Sequence, residues 1–226
     1  MHLNDIKSKI PKDLFSTLEQ LDIKELRPCQ EKSISKGLLE GKNLLVCTPT
    51  ASGKTLVAEL AAISSIMEGR GKAIYIVPLK ALANEKFKEF SNKYGKFIKI
   101  ALSIGDIDSA DSYLIDYDFI ICTAEKLDSL IRHHTPWLKY VRTIIIDEIH
   151  LMNDPGRGPT LEILLTILRE ILKNVQLIAL SATIGNPEEL AEWLNAELII
   201  DSWRPVELRK GIYLDGKIEF KEKEEK

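Results

Sequence analysis

The eight residues 48–55 place a lysine, a glycine and several hydroxyls at a spacing typical of phosphate binding. They follow the pattern G-x-x-x-x-G-K-[ST], with a threonine in place of the first glycine. An apolar run of strand length precedes them and a helical pattern follows, so backbone N–H groups at a helix start would face an anion. We interpret the segment as a phosphate loop that binds a nucleotide through Thr48, Pro49, Thr50, Ala51, Ser52, Gly53, Lys54 and Thr55.

The last three loop residues have distinct expected roles. Gly53 lacks a side chain where phosphate must approach, and Lys54 is expected to reach the β and γ phosphates. The Thr55 hydroxyl is expected to ligate Mg²⁺. A Gly-Lys-Thr tripeptide alone could mark an ordinary helix start, but the strand before it and the helix after it favour nucleotide binding.

Two adjacent carboxylates, Asp147 and Glu148, directly follow the apolar run Thr143–Ile146. In a doubly wound sheet, ligands bind at the carboxyl ends of the strands, so both side chains should face the phosphate loop. Asp147 is suited to hold Mg²⁺, and Glu148 to orient and deprotonate a water molecule. The sequence therefore predicts magnesium-dependent hydrolysis of a nucleoside triphosphate, with Lys54 and Glu148 as catalytic residues.

Strand-like and helix-like segments alternate through most of the chain. The predicted strands are Asn43–Thr48, Lys72–Val77, Ile98–Ser103, Asp118–Thr123, Thr143–Asp147, Val175–Ser181 and Glu197–Ile200. The predicted helices between them are Gly53–Met67, Leu79–Tyr94, Ala124–His133, Thr160–Leu172 and Pro187–Leu194. This order predicts an α/β fold: a doubly wound, mainly parallel sheet of about seven strands with helices on both faces.

Two terminal segments lie outside this central domain, which we place at residues 41–205. Residues 1–40 form a predicted N-terminal helical segment, with two helices beginning near Pro11 and Pro28 and packing on the sheet edge. Residues 206–226 begin with an alternation of Val206 and Leu208 and end in a balanced charge run. We expect the charge run at 221–226 to be a solvated tail.

Composition limits the class of protein. The net charge of −3 argues against a broad basic face, although it permits a groove lined by backbone amides and a few lysines. No apolar stretch is long enough to span a membrane, and no signal peptide is evident, so no membrane partner is expected. The three cysteines have no metal-ligand spacing, which favours a reducing, cytoplasmic setting.

Several short motifs, in order along nearly the whole chain, resemble those of superfamily 2 helicases. Asp147-Glu148-Ile149-His150 resembles the DExH box, Ser181-Ala182-Thr183 the motif that couples hydrolysis to strand movement, and Leu26-Arg27-Pro28-Cys29-Gln30 the glutamine motif. Pro78-Leu79-Lys80-Ala81-Leu82 and Thr123-Ala124-Glu125-Lys126 resemble motifs that contact the nucleic-acid backbone. Residues 153–162 and Trp203-Arg204-Pro205-Val206 closely resemble the archaeal Hjm-type, Ski-like branch.

The resemblance implies a RecA-like P-loop domain that binds ATP and Mg²⁺ and drives 3′ to 5′ movement along a single strand. It implies that Gln30 reads adenine and that His150, Ser181 and Thr183 couple the nucleotide site to strand movement. The residues that it assigns to nucleic acid are Pro78, Lys80, Thr123, Lys126 and Arg157. The expected substrate is single-stranded or forked DNA, in repair or fork processing. A Ski-type RNA helicase and a nucleotide-dependent scaffold module remain alternatives.

The same resemblance implies a second RecA-like domain that supplies an arginine finger. The 226 residues contain no segment resembling the finger motif and end soon after Trp203-Arg204-Pro205. We therefore interpret residues 41–205 as the first motor domain and residues 206–226 as the start of a linker to a missing second one. The chain alone is expected to bind nucleotide weakly and to unwind little or nothing.

Overall fold

The computed structural model describes residues 1–105, 111–206 and 211–220, except for the side chain of Glu219. Seven parallel strands form the main sheet in the order β3-β4-β2-β5-β6-β1-β7. The strands are β1 (Leu44–Cys47), β2 (Lys72–Val77), β3 (Ile100–Ser103), β4 (Phe119–Thr123), β5 (Val141–Ile146), β6 (Gln176–Ser181) and β7 (Glu197–Ile200). The predicted fold class and strand positions are confirmed.

Seven α-helices accompany the sheet in the part of the chain that the structure describes. They are α1 (Lys12–Gln20), α2 (Pro28–Ser35), α3 (Lys54–Met67), α4 (Lys80–Tyr94), α5 (Ala124–Arg132), α6 (Gly158–Ile171) and α7 (Pro187–Leu194). Short 3₁₀ turns at Leu3–Ile6, Ser112–Asp116, Pro136–Tyr140 and Ile149–Asn153 were not predicted. No helix in residues 1–105, 111–206 or 211–220 is both long and apolar enough to cross a membrane.

The sheet separates two apolar cores, because alternate side chains of each strand point to opposite faces. Leu44 and Val46 of β1 join one core with α3 and α4, whereas Leu45 and Cys47 join the other with α5, α6 and α7. Every residue of β1 is buried. Burial of both faces explains why the strands are almost continuously apolar in sequence.

The N-terminal segment extends the first of these cores. Leu14 and Leu18 of α1 are fully buried in it, and α1 packs against α4. Helix α2 packs against α3, β1 and the edge strand β7. The expectation that both helices pack on the sheet edge therefore holds only for α2. Helix α1 packs against α4, and the buried apolar residues of both helices belong to the same core.

A hairpin of two short antiparallel strands, β8 (Gly211–Leu214) and β9 (Lys217–Phe220), lies near the end of the chain. Asp215 and Gly216 form its turn, both with left-handed backbone, which suits a two-residue hairpin loop. The hairpin was not predicted, although Asp-Gly between apolar alternations is its sequence pattern. Leu208 and the predicted tail at 221–226 lie outside the described residues.

Candidate active site and nucleic-acid interface

Residues 48–53 form a loop at the carboxyl end of β1, and α3 begins directly after the loop. Strand β1 lies between β6 and β7 in the sheet. Ala51 and Gly53 have left-handed backbone, with φ of 65° and 99°. Gly53 is the N-cap of α3 and contributes no side-chain hydrogen bond. The N–H groups of Lys54 and Thr55 in the first turn of α3 are therefore available to an anion at the positive end of the helix, whereas the Leu56 N–H donates to the Gly53 carbonyl at 3.2 Å.

Three consecutive carbonyls of this loop accept hydrogen bonds from side chains at the start of α2. The pairs are Arg27 Nη1 to Ala51 O at 2.6 Å, Cys29 Sγ to Ser52 O at 3.3 Å, and Gln30 Nε2 to Gly53 O at 3.0 Å. In a trans peptide the N–H points away from the C=O. Because the Ser52 and Gly53 carbonyls point towards α2, the N–H groups of Gly53 and Lys54 point to the opposite side of the loop, where a phosphate would bind. The Ser52 N–H donates instead to the Pro49 carbonyl at 3.3 Å.

Gly53 is needed for this close approach of α2. A β-carbon at this position would lie 2.4 Å from Gln30 Nε2 and 2.9 Å from Arg27 Cδ. The missing side chain thus makes room for the glutamine motif, in addition to its expected role at the phosphate. The positive φ also favours glycine.

Thr48 stands where the motif usually has its first glycine, and its side chain links the start of the loop to Ser52. It is fully buried, and its Oγ1 lies 2.7 Å from Ser52 Oγ. Its N–H donates to the Ser181 carbonyl at 3.2 Å. The hydroxyl bridge to Ser52 gives the loop a side-chain cross-link that a glycine could not provide.

The Lys54 ammonium lies against the carboxyl ends of β1 and β6. Its Nζ donates to the carbonyls of Thr48 at 3.0 Å and Ser181 at 2.8 Å. Burial lowers the pKa of Lys54, and the charges of Glu148 and Asp147 oppose that shift. Lys54 is thus a half-buried cation close to both carboxylates of the acidic pair.

Asp147 follows β5 directly, and β6 separates β5 from β1 in the sheet. Its Oδ2 accepts a hydrogen bond from the Tyr75 hydroxyl at 2.8 Å, and its Oδ1 accepts one from the Glu148 N–H at 3.1 Å. Burial raises the pKa of Asp147, and the Tyr75 hydrogen bond opposes that rise. Glu148 has left-handed backbone with φ of 55°, so the chain turns sharply between the two carboxylates.

His150 lies between Glu148 and the segment after β6. Its Nδ1 is 3.3 Å from Glu148 Oε2 and 3.5 Å from the Ala182 backbone nitrogen. An unprotonated Nδ1 can accept from Ala182, whereas a protonated Nδ1 can pair with Glu148, so the two contacts are alternatives. The Ser181 hydroxyl is buried without a hydrogen-bond partner among the described residues, and Thr183 is exposed.

The oxygen donors near the loop fit Mg²⁺. In residues 1–105, 111–206 and 211–220, no group of three or more His, Cys, Asp or Glu side chains is arranged to hold a metal ion alone. Mg²⁺ usually binds through one or two carboxylates together with substrate phosphates and water. The Thr55 hydroxyl and the Asp147 carboxylate are donors of that kind.

A network of charges beside Thr55 was missed in the sequence. Lys86 Nζ lies 3.5 Å from Thr55 Oγ1 and 2.9 Å from Glu89 Oε2. Lys93 pairs with Glu89 at 2.7 Å and with the buried Glu59 at 2.9 Å. Burial raises the pKa of Glu59. A glutamate in the otherwise apolar helix α3 was the available sequence indication.

A cavity of about 880 Å³ lies beside the loop, between α2, α3 and α4. Arg27, Gln30, Gly53 and Thr55 contribute to its wall. The Gln30 amide already donates to Gly53 and accepts from the Arg27 N–H at 2.8 Å. One N–H and one lone pair remain on this amide, so an adenine contact would use those.

Candidate nucleic-acid contacts lie at the carboxyl ends of neighbouring strands. Pro78 and Lys80 follow β2, with Pro78 half-buried and Lys80 exposed at the start of α4. Thr123 ends the adjacent strand β4 and caps α5, its Oγ1 accepting the Lys126 N–H at 3.4 Å. Arg157 is exposed at the start of α6.

Lys126 does not reach this surface, which corrects its predicted contact with nucleic acid. Its side chain is 2% exposed, and Nζ lies 3.1 Å from Asp111 Oδ2. Asp111 also accepts from the Ser103 hydroxyl at 2.7 Å. The lysine ties the start of α5 to the segment before the 3₁₀ turn at Ser112–Asp116, and losing this buried cation beside a carboxylate that is only 12% exposed would be costly.

A phosphate loop after β1 and an acidic pair after β5, at one edge of a parallel sheet, define a P-loop nucleotide-hydrolase domain. Residues 27–190 match the family model described as DEAD/DEAH box helicase. The chain belongs to this family. The resemblance to superfamily 2 helicases that the motifs indicated is thereby confirmed.

Curated relatives include proteins named ATP-dependent DNA helicase Hel308. The one from Methanocaldococcus jannaschii is 57% identical over 214 residues, covering 92% of this chain and 18% of the relative. The one from Pyrococcus abyssi is 55% identical over 199 residues, covering 88% and 27%. The chain therefore spans less than a third of the length of these two relatives.

Solved structures show the same fold in other helicases. The DUF1998 helicase MrfA bound to DNA aligns with a TM-score of 0.72 and 30% identity, over 86% of this chain and 30% of that one. MrfA bound to DNA and AMPPNP aligns with a TM-score of 0.74 and 29% identity, over 86% and 29%. Both alignments cover most of the α/β domain described above.

Proposed function

We propose that this chain is the ATP-binding half of a DNA helicase motor. In this function, magnesium-dependent ATP hydrolysis drives 3′ to 5′ movement along a single strand and separation of duplex DNA. The observation that carries the proposal is the position of the Lys54 ammonium. Its Nζ donates to the carbonyls of Thr48 and Ser181, and it lies close enough to Asp147 and Glu148 for their charges to act on its pKa. Catalysis of phosphoryl transfer depends mainly on positioning and charge, and this arrangement provides both.

Each polar side chain of the site has a step that it can perform. Lys54 would bind the β and γ phosphate oxygens, and Glu148 would orient the attacking water and accept its proton. Thr55 and Asp147 would hold Mg²⁺, which neutralises charge on the phosphates when it is bound. His150, between Glu148 and Ala182, would transmit changes at the nucleotide to the Ser181–Thr183 segment.

Three features support DNA as the substrate. The Hel308 relatives are named DNA helicases, and the MrfA structures contain DNA. Lys80 and Arg157 are exposed cations, and Thr123 begins a helix at the same edge. We infer that Pro78, Lys80 and Arg157 contact the backbone of single-stranded or forked DNA in the cytoplasm. The predicted contact of Thr123, which is 4% exposed with its hydroxyl capping α5, would require this helix start to open. RNA remains the alternative substrate.

We further propose that a second RecA-like domain supplies an arginine finger to this site. The relatives are several times longer than the part that this chain matches. A charge that stabilises the transferred phosphoryl group is worth several orders of magnitude in rate. The 226 residues alone should therefore bind ATP but hydrolyse it slowly.

The test compares nucleotide binding with turnover. We expect the chain to bind a fluorescent ATP analogue in the presence of Mg²⁺, and Lys54→Ala to abolish this binding. In the full-length gene product, single-stranded DNA should stimulate phosphate release more than RNA does. Glu148→Gln should keep nucleotide binding and reduce the rate by about 10²-fold or more, the size of a general-base contribution.

One control variant and two outcomes separate this function from a scaffold role and from an active single domain. Glu170→Gln changes an exposed carboxylate in the last turn of α6, outside the motifs of the site, and should leave the rate unchanged. Full activity of Glu148→Gln would favour the scaffold alternative, because a scaffold needs no water-activating carboxylate. Rapid DNA-stimulated hydrolysis by the 226 residues alone would contradict the requirement for a second domain.

A further inference from the structure

The guanidinium of Arg27 connects the phosphate loop to the segment that leaves the sheet after β7. Its Nη1 donates to the Ala51 carbonyl at 2.6 Å. Its carbon Cζ lies 5.5 Å from the centre of the Trp203 ring, a distance at which a cation and an aromatic face attract each other. One side chain thus contacts both the nucleotide site and the exit segment, which we define as residues 201–206.

The residue whose carbonyl Arg27 contacts, Ala51, has an unfavourable backbone conformation. Ala51 has left-handed backbone with φ of 65°, a conformation that residues with a β-carbon rarely adopt. Surrounding contacts must hold such a residue in place. The hydrogen bond from Arg27 is a direct contact of this kind, so Arg27 helps to hold the backbone conformation of the loop at Ala51.

The exit segment is itself anchored to α2. Asp201 follows β7 and pairs with Lys32 of α2, with 2.6 Å between Oδ2 and Nζ. Its Oδ1 accepts a hydrogen bond from the Trp203 N–H at 2.7 Å. These contacts hold the Trp203 ring beside Arg27, although the residue stays 37% exposed. The tryptophan therefore has a defined position but also an open side from which it can be displaced.

We propose that Arg27 is a positioning residue for nucleotide binding and that Trp203 controls it. Displacement of the exit segment would free Arg27 and weaken the loop for phosphate. By reciprocity, nucleotide binding would stabilise the Trp203 contact. This inference rests on the proposed nucleotide-binding function and adds a route by which residues 201–206 sense the occupancy of the loop.

The experiment measures the dissociation constant of a fluorescent ATP analogue with Mg²⁺ for variants of the 226-residue chain. Arg27→Met keeps the aliphatic packing against Gly53 and removes the charge and the donors. We expect it to weaken binding by about tenfold, the effect typical of a lost charge-assisted hydrogen bond. Trp203→Ala should weaken binding roughly threefold, the size of an exposed cation–π contact. Trp203→Phe, which retains an aromatic face, should restore most of this loss.

The chain contains a matched control pair. Arg169 Cζ lies 5.6 Å from the centre of the Trp193 ring, at the ends of α6 and α7 and therefore at the opposite edge of the sheet. Arg169→Met and Trp193→Ala remove the same chemistry without touching the loop. Their nucleotide affinity should equal that of the unaltered chain. A loss as large as that of the Arg27 and Trp203 variants would overturn the proposal.

The double variant Arg27→Met/Trp203→Ala tests whether Trp203 acts through Arg27. If it does, the double variant binds no more weakly than Arg27→Met alone. Losses that simply add, or an unchanged affinity in Trp203→Ala, would overturn the link. Thermal melting of each variant separates a loss of affinity from a loss of folding.

A spectroscopic measurement gives an independent result. Nucleotide should change the tryptophan emission of the unaltered chain, and Trp203→Phe should abolish most of that change, since Trp137 is buried and Trp193 lies at the far edge. An identical change in Trp203→Phe would contradict the proposal. Failure of the unaltered chain to bind nucleotide in a Lys54-dependent way would instead overturn the proposed function itself.

Discussion

Asp147 and Glu148 are adjacent in sequence, yet the structure gives their carboxylates different surroundings. Asp147 accepts a hydrogen bond from the hydroxyl of buried Tyr75, and burial raises the pKa of Asp147. Glu148 is half-exposed and faces His150. The left-handed backbone at Glu148 produces this separation, because it turns the second side chain away from the first. The roles that we propose for Asp147 and Glu148, a ligand for Mg²⁺ and a base for water, need different environments of this kind.

The Tyr75 hydroxyl provides a test at the scale of a single hydrogen bond. Tyr75→Phe removes the hydrogen-bond donor to half-buried Asp147, so the pKa of Asp147 should rise further. The free energy of unfolding should fall by about 1–3 kcal/mol at neutral pH, the usual effect of leaving a buried charged group without a donor. The loss should shrink as pH falls through the Asp147 pKa, because a protonated carboxyl depends less on the tyrosine.

Urea denaturation across a pH series measures this loss, and Tyr213→Phe is its control. Tyr213 is 71% exposed in the β8–β9 hairpin, so its hydroxyl should contribute nothing measurable. A Tyr75→Phe loss that is constant from acid to neutral pH would show that packing, and not the hydrogen bond to Asp147, is responsible.

At the scale of elements, the starts of α4 and α5 carry lysines with opposite roles. Lys80 is exposed at the first position of α4, whereas Lys126 in the first turn of α5 is buried beside Asp111. Both lysines belong to motifs whose resemblance implied contact with nucleic acid. Only their positions in three dimensions distinguish the two.

Methionine substitutions should separate these two roles. Lys126→Met should reduce the free energy of unfolding by about 3 kcal/mol, because it leaves Asp111 without its buried cation. Lys80→Met should leave stability unchanged but weaken binding of single-stranded DNA. Thermal melting and fluorescence anisotropy measure the two effects. Weaker DNA binding by Lys126→Met without a change in melting would show that Lys126 reaches the strand after all.

The strands and most helices could be predicted because burial leaves a local pattern in sequence. The prediction Asn43–Thr48 differs by one residue at each end from β1, since a strand buried on both faces must be apolar throughout. The phosphate loop and acidic pair follow from fixed spacing. The pairing of Lys126 with Asp111, and of Glu59 with Lys93, depends on which helices pack together. No local pattern records that information.

At the scale of the whole molecule, parallel topology brings distant motifs together. Strands β1, β5 and β6 are neighbours in the sheet, and all three end at the same edge. The phosphate loop, the acidic pair and the Ser181–Thr183 segment therefore meet there, although more than a hundred residues separate the first from the last. The same topology places Lys80, which follows β2, and Thr123, the last residue of β4, along this edge.

The modest charge of the molecule leads to a prediction about its binding to DNA. The net charge is −3, and among the proposed contacts only Lys80 and Arg157 are exposed cations. Each cation that neutralises a single-stranded phosphate adds about −0.7 to the slope of log affinity against log salt concentration. We therefore expect a slope of roughly −1.4 for this chain, far below that of proteins with broad basic faces.

Titration of labelled single-stranded DNA at several salt concentrations gives this slope, and Lys80→Met should reduce its magnitude by about 0.7. Arg157→Met should do the same, whereas Arg132→Met, an exposed arginine at the end of α5, is the matched control and should not. The slope should be similar for RNA of equal length if backbone contacts dominate. A slope several times steeper would mean that other cations bind the strand, and it would contradict the interface proposed at the ends of β2 and β4.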